Sequence, residues 1–503
     1  MEQRSLTLSQ PELAEDSLGF FRWGSVAGKV LITNDAGDWD FLSASEFADL
    51  LAGRIVDGHA RFQDLQRKGF LRDGLDLGAF ADRMAQRNRH LRRGPHLHVV
   101  TLTVRRTGSG ANGRAVDAAA TDMSRETAET VVDFALQSTS PAVAFELQGQ
   151  GGEPLLNLDV LRHLVEYATT RNTQTTGKVL RFTVLTNFSG MTEDAAEWLI
   201  ANDVRVCTSL DGPATLHDAN RQWLGGSAHA DVVRWIEYFG RRYAELGRDA
   251  QQWHGDALAT VTRKSLTAAR EIVDEYAARG LRSIHLRPLS ADRFDPDTWA
   301  TIGYTAEEYL DFYRRALDRM VDVNRQGVEI AERLATVLLM KILTADDPGI
   351  VDLQSPSGAG TAQLAYDVDG RVFPSDEARR VDAMGDPIFE LGNVRQLTLA
   401  EGTGNPTVRA IAAASLLDAQ PKCAECWNKP FCGFSPVRNF ISQGDLFGQR
   451  TRCFECKEHL AVSTRLFELL GDDANPDTGA RLKAWTVKRS PFASDGRVSK
   501  DAP

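Results

Sequence analysis

The chain has 503 residues, of which 42% are hydrophobic, so it is long enough for two or three packed domains with a large buried core. Its net charge of −11 argues against a binder of nucleic-acid backbones, since such proteins concentrate lysine and arginine. No run approaches the roughly 20 consecutive apolar residues of a membrane helix, and the N-terminus lacks the order of a secretory signal, which predicts a cytoplasmic protein.

Residues 1–95 are predicted to form a small separate module. Two short apolar runs at 29–33 and 39–42 flank a turn and read as a hairpin. Ser43 then precedes a helical pattern, with Glu46 three residues later, which is the spacing of a capping box. The sequence therefore predicts a hairpin that feeds a helix, an α+β arrangement.

From 96 to 345, strand-like runs alternate with segments of helical periodicity. The predicted strands cover residues 97–104, 142–147, 181–186, 204–209, 256–262 and 283–287. Six successive strand–helix units predict a parallel sheet, curled into a partial or complete barrel, whose functional site lies at the carboxyl ends of the strands. Two amphipathic helices are predicted after the last strand, at 305–324 and 328–345.

A glycine-rich loop follows the first of these strands and contains a G-x-G-x-x-G pattern at 108–113. A dinucleotide site of this type needs a helix that starts at the third glycine and an acidic residue at the tip of the next strand. Here the next capped helix begins only at Ser124, and Asp133, the acid at the right distance, falls inside that helix. The pattern therefore does not predict a nucleotide site, and a glycine-rich loop without a ligand is the alternative.

Polar side chains follow the second and fourth predicted strands. Glu153 ends a glycine-rich turn after the second strand, and Asp211 follows the fourth, with His217 and Arg221 shortly after. Because parallel strands end at the same edge of a sheet, these four residues are candidate acid, base and electrostatic groups of one mouth. Turn formation and helix capping explain each of them individually about as well.

Residues 346–470 are predicted to form a cysteine-rich domain that starts with a hairpin at 363–373. Five of the six cysteines fall within it, namely Cys423, Cys426, Cys432, Cys453 and Cys456. In a chain without an export signal, such clustering indicates metal ligation rather than disulfides, with free thiols as the plain alternative. The sixth cysteine, Cys207, lies within a predicted strand and reads as a small buried apolar residue. Residues 471–503 are rich in Asp, Pro, Gly and Ser and are predicted to be disordered.

Taken together, several motifs resemble radical S-adenosylmethionine (SAM) enzymes that carry a C-terminal SPASM cluster domain. Three of the motifs come after predicted strands two, three and four, and the last lies at strand six. They are Gly151-Gly152-Glu153-Pro154, Thr186-Asn187, Ser209-Leu-Asp-Gly-Pro213 and Leu286-Arg-Pro-Leu289. Within this group, the likeness is to the His-Xaa-Ser-system maturases, which modify ribosomally made peptides. It is carried by the segments 34–37, 68–71, 94–98, 376–379, 436–440 and 443–445.

The resemblance implies a radical-SAM-type (βα)6 partial TIM barrel, with a small N-terminal α+β module and a C-terminal SPASM-like domain. In that family the first strand leads into a CxxxCxxC loop that binds a 4Fe–4S cluster. That spacing falls here on Val104, Gly108 and Ala111, none of which ligates iron. The resemblance therefore implies that the radical SAM cluster, and with it the reductive cleavage of SAM, has been lost.

The resemblance also assigns ligand contacts. The residues that would contact SAM, weakly and without reaction, are Gly151, Gly152, Glu153, Asn187, Ser209 and Arg221. Cys423, Cys426 and Cys432, with Cys453 or Cys456 as the fourth ligand, match the spacing of one auxiliary 4Fe–4S cluster, and a structural zinc ion is the alternative. The inner auxiliary cluster is expected to be absent, because the corresponding positions are Ser357, Ser375 and Ser435.

These observations lead to one functional hypothesis and two alternatives. The hypothesis is a pseudoenzyme of ribosomal peptide maturation, which binds a precursor peptide, an active radical SAM maturase subunit, or both. One alternative is an enzyme that uses the barrel mouth for peptide modification without radical cleavage of SAM. The other is a decayed copy that keeps a structural zinc site. No nucleic-acid or membrane partner is expected.

Overall fold

The structure is a computed structural model that describes residues 16–104, 121–221, 226–248, 253, 256–290 and 296–487. The strands are β1 Arg22–Val26, β2 Lys29–Thr33, β3 Trp39–Leu42, β4 Leu97–Thr103, β5 Ala142–Gly149, β6 Val179–Leu185, β7 Val204–Ser209, β8 Asp256–Val261, β9 Ser283–Pro288, β10 Ala331–Glu332, β11 Gln363–Tyr366, β12 Arg371–Phe373 and β13 Gly392–Asn393. They form two separate sheets.

The helices flank both sheets and fill the C-terminal half of the chain. The α-helices are Ala44–Leu51, Phe62–Arg67, Leu77–Arg87, Arg125–Leu136, Leu158–Thr175, Glu193–Ala201, Ala214–Asn220, Ala228–Glu245, Ala269–Ala278, Pro296–Ile302, Ala306–Arg325, Arg333–Leu343, Asp376–Ala383, Leu399–Thr403, Pro406–Ala414, Pro421–Ala424, Pro436–Gln443, Phe454–Leu470 and Asp477–Trp485. In the described part of the chain, no helix has both the length and the apolar character that a membrane crossing requires.

The large sheet runs in the order β10-β9-β8-β7-β6-β5-β4-β11-β12-β13. Strands β4 to β9 lie side by side in chain order and are parallel throughout, as the alternation of strand and helix patterns predicts. Each of them starts and ends within about two residues of its predicted bounds. The predicted α/β class with a large parallel sheet is thus confirmed.

Alternation along the strands explains how the sheet is covered. On β5, the side chains of Val143, Phe145 and Leu147 are buried in the main apolar core, while Glu146 points to the opposite face. Helices Arg125–Leu136 and Leu158–Thr175 pack against each other on the apolar side, and the other face remains concave and partly polar.

The N-terminal sheet consists of β1, β2 and β3 in antiparallel order. The sequence predicts β2, β3 and their turn, whereas β1 was missed because it contains few apolar residues. Ser43 accepts a hydrogen bond from the Glu46 backbone N–H, and the Glu46 carboxylate accepts one from Ser43 N at 2.7 Å. The predicted capping box is therefore present.

The predicted hairpin at 363–373 is confirmed as β11 and β12, and β11 pairs in parallel with β4. The C-terminal part thus extends the large sheet directly. Two of the serines that stand at presumed cluster positions act as helix caps, since Ser375 accepts from Ala378 N and Ser435 accepts from Arg438 N.

The structure differs from the disorder predicted for 471–503. Residues Asp477–Trp485 form a helix that contacts helices Arg333–Leu343 and Phe454–Leu470. The side chain of Trp485 is 2% exposed, and its indole N–H donates to Asn324 Oδ1 at 3.4 Å. The polar composition of this segment concealed a short amphipathic helix whose two large apolar residues, Leu482 and Trp485, face the core. Residues after 487 lie outside the described range.

Candidate functional site

Glu153 lies at the carboxyl end of the sheet, where its carboxylate is held by three protein donors. It accepts hydrogen bonds from Leu155 N at 3.2 Å, from Thr186 Oγ1 at 2.5 Å and from Asn187 N at 2.8 Å. The residue is 1% exposed, and burial raises the pKa of its carboxyl to about 7, although the three hydrogen bonds act in the opposite direction. Glu153 therefore caps the turn that follows it and fastens β5 to the end of β6.

Asp211 and Arg221 form a bidentate ion pair at the ends of β7 and β8. Asp211 Oδ2 accepts from Arg221 Nε at 2.9 Å, Oδ1 accepts from Arg221 Nη2 at 3.1 Å, and Oδ1 also accepts from Thr260 N at 3.0 Å. His217 is fully buried and accepts from Asp211 N at 3.1 Å. Burial lowers the pKa of His217 to about 4, so the ring is neutral at physiological pH.

The four candidate catalytic residues thus fall into two internally bonded groups, one around Glu153 and one around Asp211. Asn187 is exposed, and its side chain accepts from Ser189 N at 2.8 Å within its own turn. Ser209 is the last residue of β7 and pairs with Leu258 of β8. Of the two glycines, Gly151 is exposed and Gly152 partly so.

This arrangement does not fit the SAM contacts that the resemblance implies. The carboxylate expected to accept from the amino group of SAM is buried and already takes three hydrogen bonds, and Arg221 is paired with Asp211. Of the three positions where the family has cluster cysteines, Val104 donates its backbone N–H to the carbonyl of Thr121 at 2.9 Å. Gly108 and Ala111 lie outside the described residues. We therefore derive no step through SAM.

A different site lies on the concave face of the sheet. Two adjoining spaces of about 420 Å³ and about 340 Å³ share lining residues and together form what we call the inner cavity. The lining residues common to both spaces are Glu146, Thr183, Leu185, Arg287, Arg333, Ile350, Asp352, Glu377 and Arg380. Strands β5 to β9 supply one wall, and the helices of the C-terminal part supply the other.

The C-terminal wall of the inner cavity is a closed network of ion pairs. Asp376 accepts from Arg379 at 2.7 Å, from Arg380 at 2.7 Å and from the amide of Gln148 at 2.6 Å. Although burial acts in the opposite direction, Arg379 and Arg380 hold the pKa of Asp376 below its ordinary value. This network fixes helix Asp376–Ala383 against the end of β5.

The same network continues towards the cysteine-rich segment through Arg438. Its guanidinium nitrogens lie 3.3 Å from a carboxylate oxygen of Glu377, 3.5 Å from one of Asp352 and 3.4 Å from one of Glu455. Burial raises the pKa of Asp352 to about 6, against the attraction of Arg438. The inner cavity is therefore lined by charges of both signs in a largely desolvated space.

Apart from Gly151, a predicted SAM contact, sequence reasoning assigned no site role to the residues that line the inner cavity. Glu146, Arg287 and His285 lie on strands β5 and β9, at positions that alternate with buried apolar residues. A charged or polar residue at every second position of an otherwise apolar strand could have indicated them. Cys207, predicted to be a buried apolar residue, lines the cavity as well, and burial raises the pKa of its thiol to about 12.

Cys456 lies close enough to the other four C-terminal cysteines to contribute to the raised pKa of each of their thiols. Burial raises the pKa of Cys423 and of Cys453 to about 11, and the thiols of Cys426, Cys432 and Cys456 also have raised pKa values, with burial again the largest cause. Within the described residues, however, no group of three or more His, Cys, Asp or Glu side chains is arranged to hold a metal ion. The donor type suits iron or zinc, but the thiols are not gathered around a common point.

Comparison with known proteins gives relatives at low identity, and no family model matches the chain. A cysteine-type anaerobic sulfatase-maturating enzyme of Clostridium perfringens (strain 13) is 23% identical over 281 residues, which are 56% of this chain and 70% of that protein. The solved structure of native anSMEcpe with bound AdoMet superposes with a TM-score of 0.61 at 19% identity and covers 76% of this chain and 100% of that one. The same protein with bound AdoMet and Cp18Cys peptide gives 0.60 at 18% identity, covering 78% and 99%. These structural likenesses establish the fold.

Proposed function

We propose that this chain acts in the maturation of a peptide or protein as a binding subunit that does not cleave SAM. The observation that carries the proposal is the absence of cysteine from residues 99–123, which cover the end of β4, the first of six consecutive parallel strands, and the loop that follows it. Iron–sulfur clusters are held by thiolates, and this loop offers none. The similarity to sulfatase-maturating enzymes supports a role in maturation, and the peptide in a structural neighbour supports a peptide as ligand.

The inner cavity is the site that we assign to the bound peptide. Its volume lies in the range of about 300–1,000 Å³ that is typical of ligand pockets, and its walls combine apolar and polar side chains. We also assign a contribution to the N-terminal module, whose edge strand β1 carries the exposed side chain of Trp23. An active radical SAM maturase subunit is a further partner in this proposal.

The cysteine-rich segment is assigned to a structural metal. Cys423, Cys426 and Cys432, with Cys453 or Cys456, would hold one 4Fe–4S cluster or a zinc ion after a local closure of the segment. A bound metal would stabilise the fold there, since metal binding by thiolates contributes directly to folding free energy.

The four polar residues at the strand ends do not favour the alternative of an enzyme that works without radical chemistry. Glu153 caps a turn, Asp211 and Arg221 neutralise each other, and His217 is neutral and buried. A general acid or base must reach the proton that it moves, and none of these groups is presented to the inner cavity.

The test is anaerobic reconstitution of the full chain with iron and sulfide, followed by incubation with SAM and a strong reductant. We expect no 5′-deoxyadenosine above the level of a sample without protein. We expect about four irons per chain if the C-terminal cysteines hold one cluster, and a colourless protein with about one zinc otherwise. The variant Cys432→Ser is the control, because it should lose that metal. Release of 5′-deoxyadenosine by the wild type would overturn the proposal.

A further inference from the structure

Two charged side chains face the inner cavity without a hydrogen-bonded or ion-paired partner in the described part of the chain. Arg287 on β9 and Glu146 on β5 line both of its spaces. Among the hydrogen bonds and ion pairs of the described residues, neither side chain takes part in any. Burial lowers the pKa of Arg287, and burial raises the pKa of Glu146 to about 7. Burial is the largest cause of both shifts, and the arginines Arg333 and Arg287 act against it at Glu146.

The neighbouring guanidinium groups are in a different situation. Arg379 and Arg380 pair with Asp376, and Arg438 is close to Glu377. Arg380 and Arg438 disfavour the charge on Arg287, whereas Glu377 and Asp376, which favour it, are already bonded to other residues. Arg287 is partly exposed and lines both spaces of the cavity, so a ligand anion could reach its guanidinium and compensate its partial loss of water.

We infer that the inner cavity binds a peptide through a carboxylate, which accepts hydrogen bonds from Arg287 while Glu146 accepts from an N–H group of the same ligand. This inference rests on the proposed function, that the chain receives a peptide, and it adds the chemical class of the bound segment. A guanidinium presents two parallel N–H groups to a carboxylate, which gives both affinity and orientation.

The cavity is lined by charges of both signs. Its larger space includes the acidic residues Glu146, Asp352, Asp376 and Glu377 and, besides Arg287, the arginines Arg181, Arg205, Arg333, Arg379 and Arg380. We assign a carboxylate to Arg287 because it is the anionic group that a peptide carries and because it accepts two parallel hydrogen bonds from one guanidinium. The carboxylate can belong to an Asp or Glu side chain or to the C-terminus of the peptide.

The test is isothermal titration calorimetry of the full chain with short blocked peptides. The probes are acetyl-Gly-Asp-Gly-amide, its Asn counterpart, and acetyl-Gly-Gly-Gly with a free carboxylate; the first and third distinguish a side-chain from a terminal carboxylate. We expect at least one carboxylate peptide to bind the wild type about tenfold or more tightly than the Asn peptide. Arg287→Met should abolish this preference, and Arg287→Lys should keep part of it.

The control is Arg205→Met, because Arg205 lines the same cavity but lies over the ring of Trp253 at 5.0 Å. It should retain the preference for the carboxylate. A melting curve gives a second measurement. Arg287 is partly buried and has no ion pair or hydrogen bond within the described residues, so Arg287→Met should leave the melting temperature unchanged or raise it. A marked decrease would mean that Arg287 has a structural partner, and the inference would be wrong.

The remaining outcomes separate this inference from the proposed function. Equal binding of the Asp, Asn and terminal-carboxylate peptides, or no binding of any of them, would overturn the carboxylate site and leave the result of the 5′-deoxyadenosine assay intact. If the binding of SAM depended on Arg287 while the binding of every peptide did not, the carboxylate site would also be overturned. Formation of 5′-deoxyadenosine would overturn the proposed function without affecting the measured peptide preference.

Discussion

At the scale of single residues, the polar side chains that stand out in the sequence serve the fold more than the cavity. Glu153, Asp211 and His217 each follow a parallel strand, which is where functional groups are expected. In the structure, each one instead bonds to backbone or side-chain groups of its own turn or of the neighbouring strand end. The inner cavity draws its charges from within the strands, from residues such as Glu146 and Arg287.

Glu153 gives a pH-dependent prediction. Its pKa in the folded state is about 7, above the ordinary value of 4.5, because the carboxyl is buried. Its contribution to stability is therefore fully present below about pH 4.5 and is lost as the pH rises through about 7. We expect the melting temperature of Glu153→Gln minus that of the wild type to become more positive as the pH rises from 5 to 8. The same change at the exposed Glu166 should give a difference that does not vary in this way.

Asp211 gives a prediction about stability. Asp211→Asn removes the charge that pairs with Arg221 and places an amide against the guanidinium or against Thr260 N. We expect a loss of about 3 kcal/mol of unfolding free energy, measured by urea denaturation. The matched control is Asp159→Asn, which alters the exposed pair with Arg125 and should leave the denaturation midpoint unchanged. A similar midpoint for both variants would show that the buried pair contributes little.

At the scale of helices and strands, most of the architecture could be predicted from the sequence. Strands β4 to β9 are marked by apolar runs separated by helical periodicity, and these patterns reflect burial directly. Strand β1 and helix Asp477–Trp485 could not be found in this way, because their stability comes from a partner surface rather than from their own composition. The inner cavity is formed by residues distant in sequence, so only the folded chain reveals it.

Helix Asp477–Trp485 provides a direct test of that contribution. Trp485→Ala removes a side chain that is 2% exposed and deletes its contact with Asn324. We expect a loss of about 3–5 kcal/mol, as for other buried aromatic residues, measured by chemical denaturation. The control Val487→Ala changes a side chain that is 64% exposed and should have little effect. Equal stability of wild type and Trp485→Ala would mean that the helix is not docked in solution.

At the scale of the whole molecule, the N-terminal module is fastened to the cysteine-rich segment. Arg22 donates to the carbonyl of Ala424 at 2.5 Å, and Thr33 donates to that of Trp427 at 2.7 Å. Lys429 lies 2.9 Å from Asp35 in the same region. The loop that carries the first three cysteines is therefore held from outside by residues of β1, of β2 and of the turn that follows β2.

Arg87 extends this contact and predicts a link between the module and metal retention. Its guanidinium is buried and donates to the carbonyls of Lys341 at 2.6 Å and Pro430 at 3.0 Å, two residues before Cys432. In Arg87→Met the loop loses this support, and after loading with zinc we expect faster release of the metal to a chromogenic chelator. Arg83→Met, on the same helix, should behave like the wild type. Equal release rates for all three proteins would show that metal retention is independent of the module, and failure of the wild type to bind zinc or iron would contradict the proposed metal site itself.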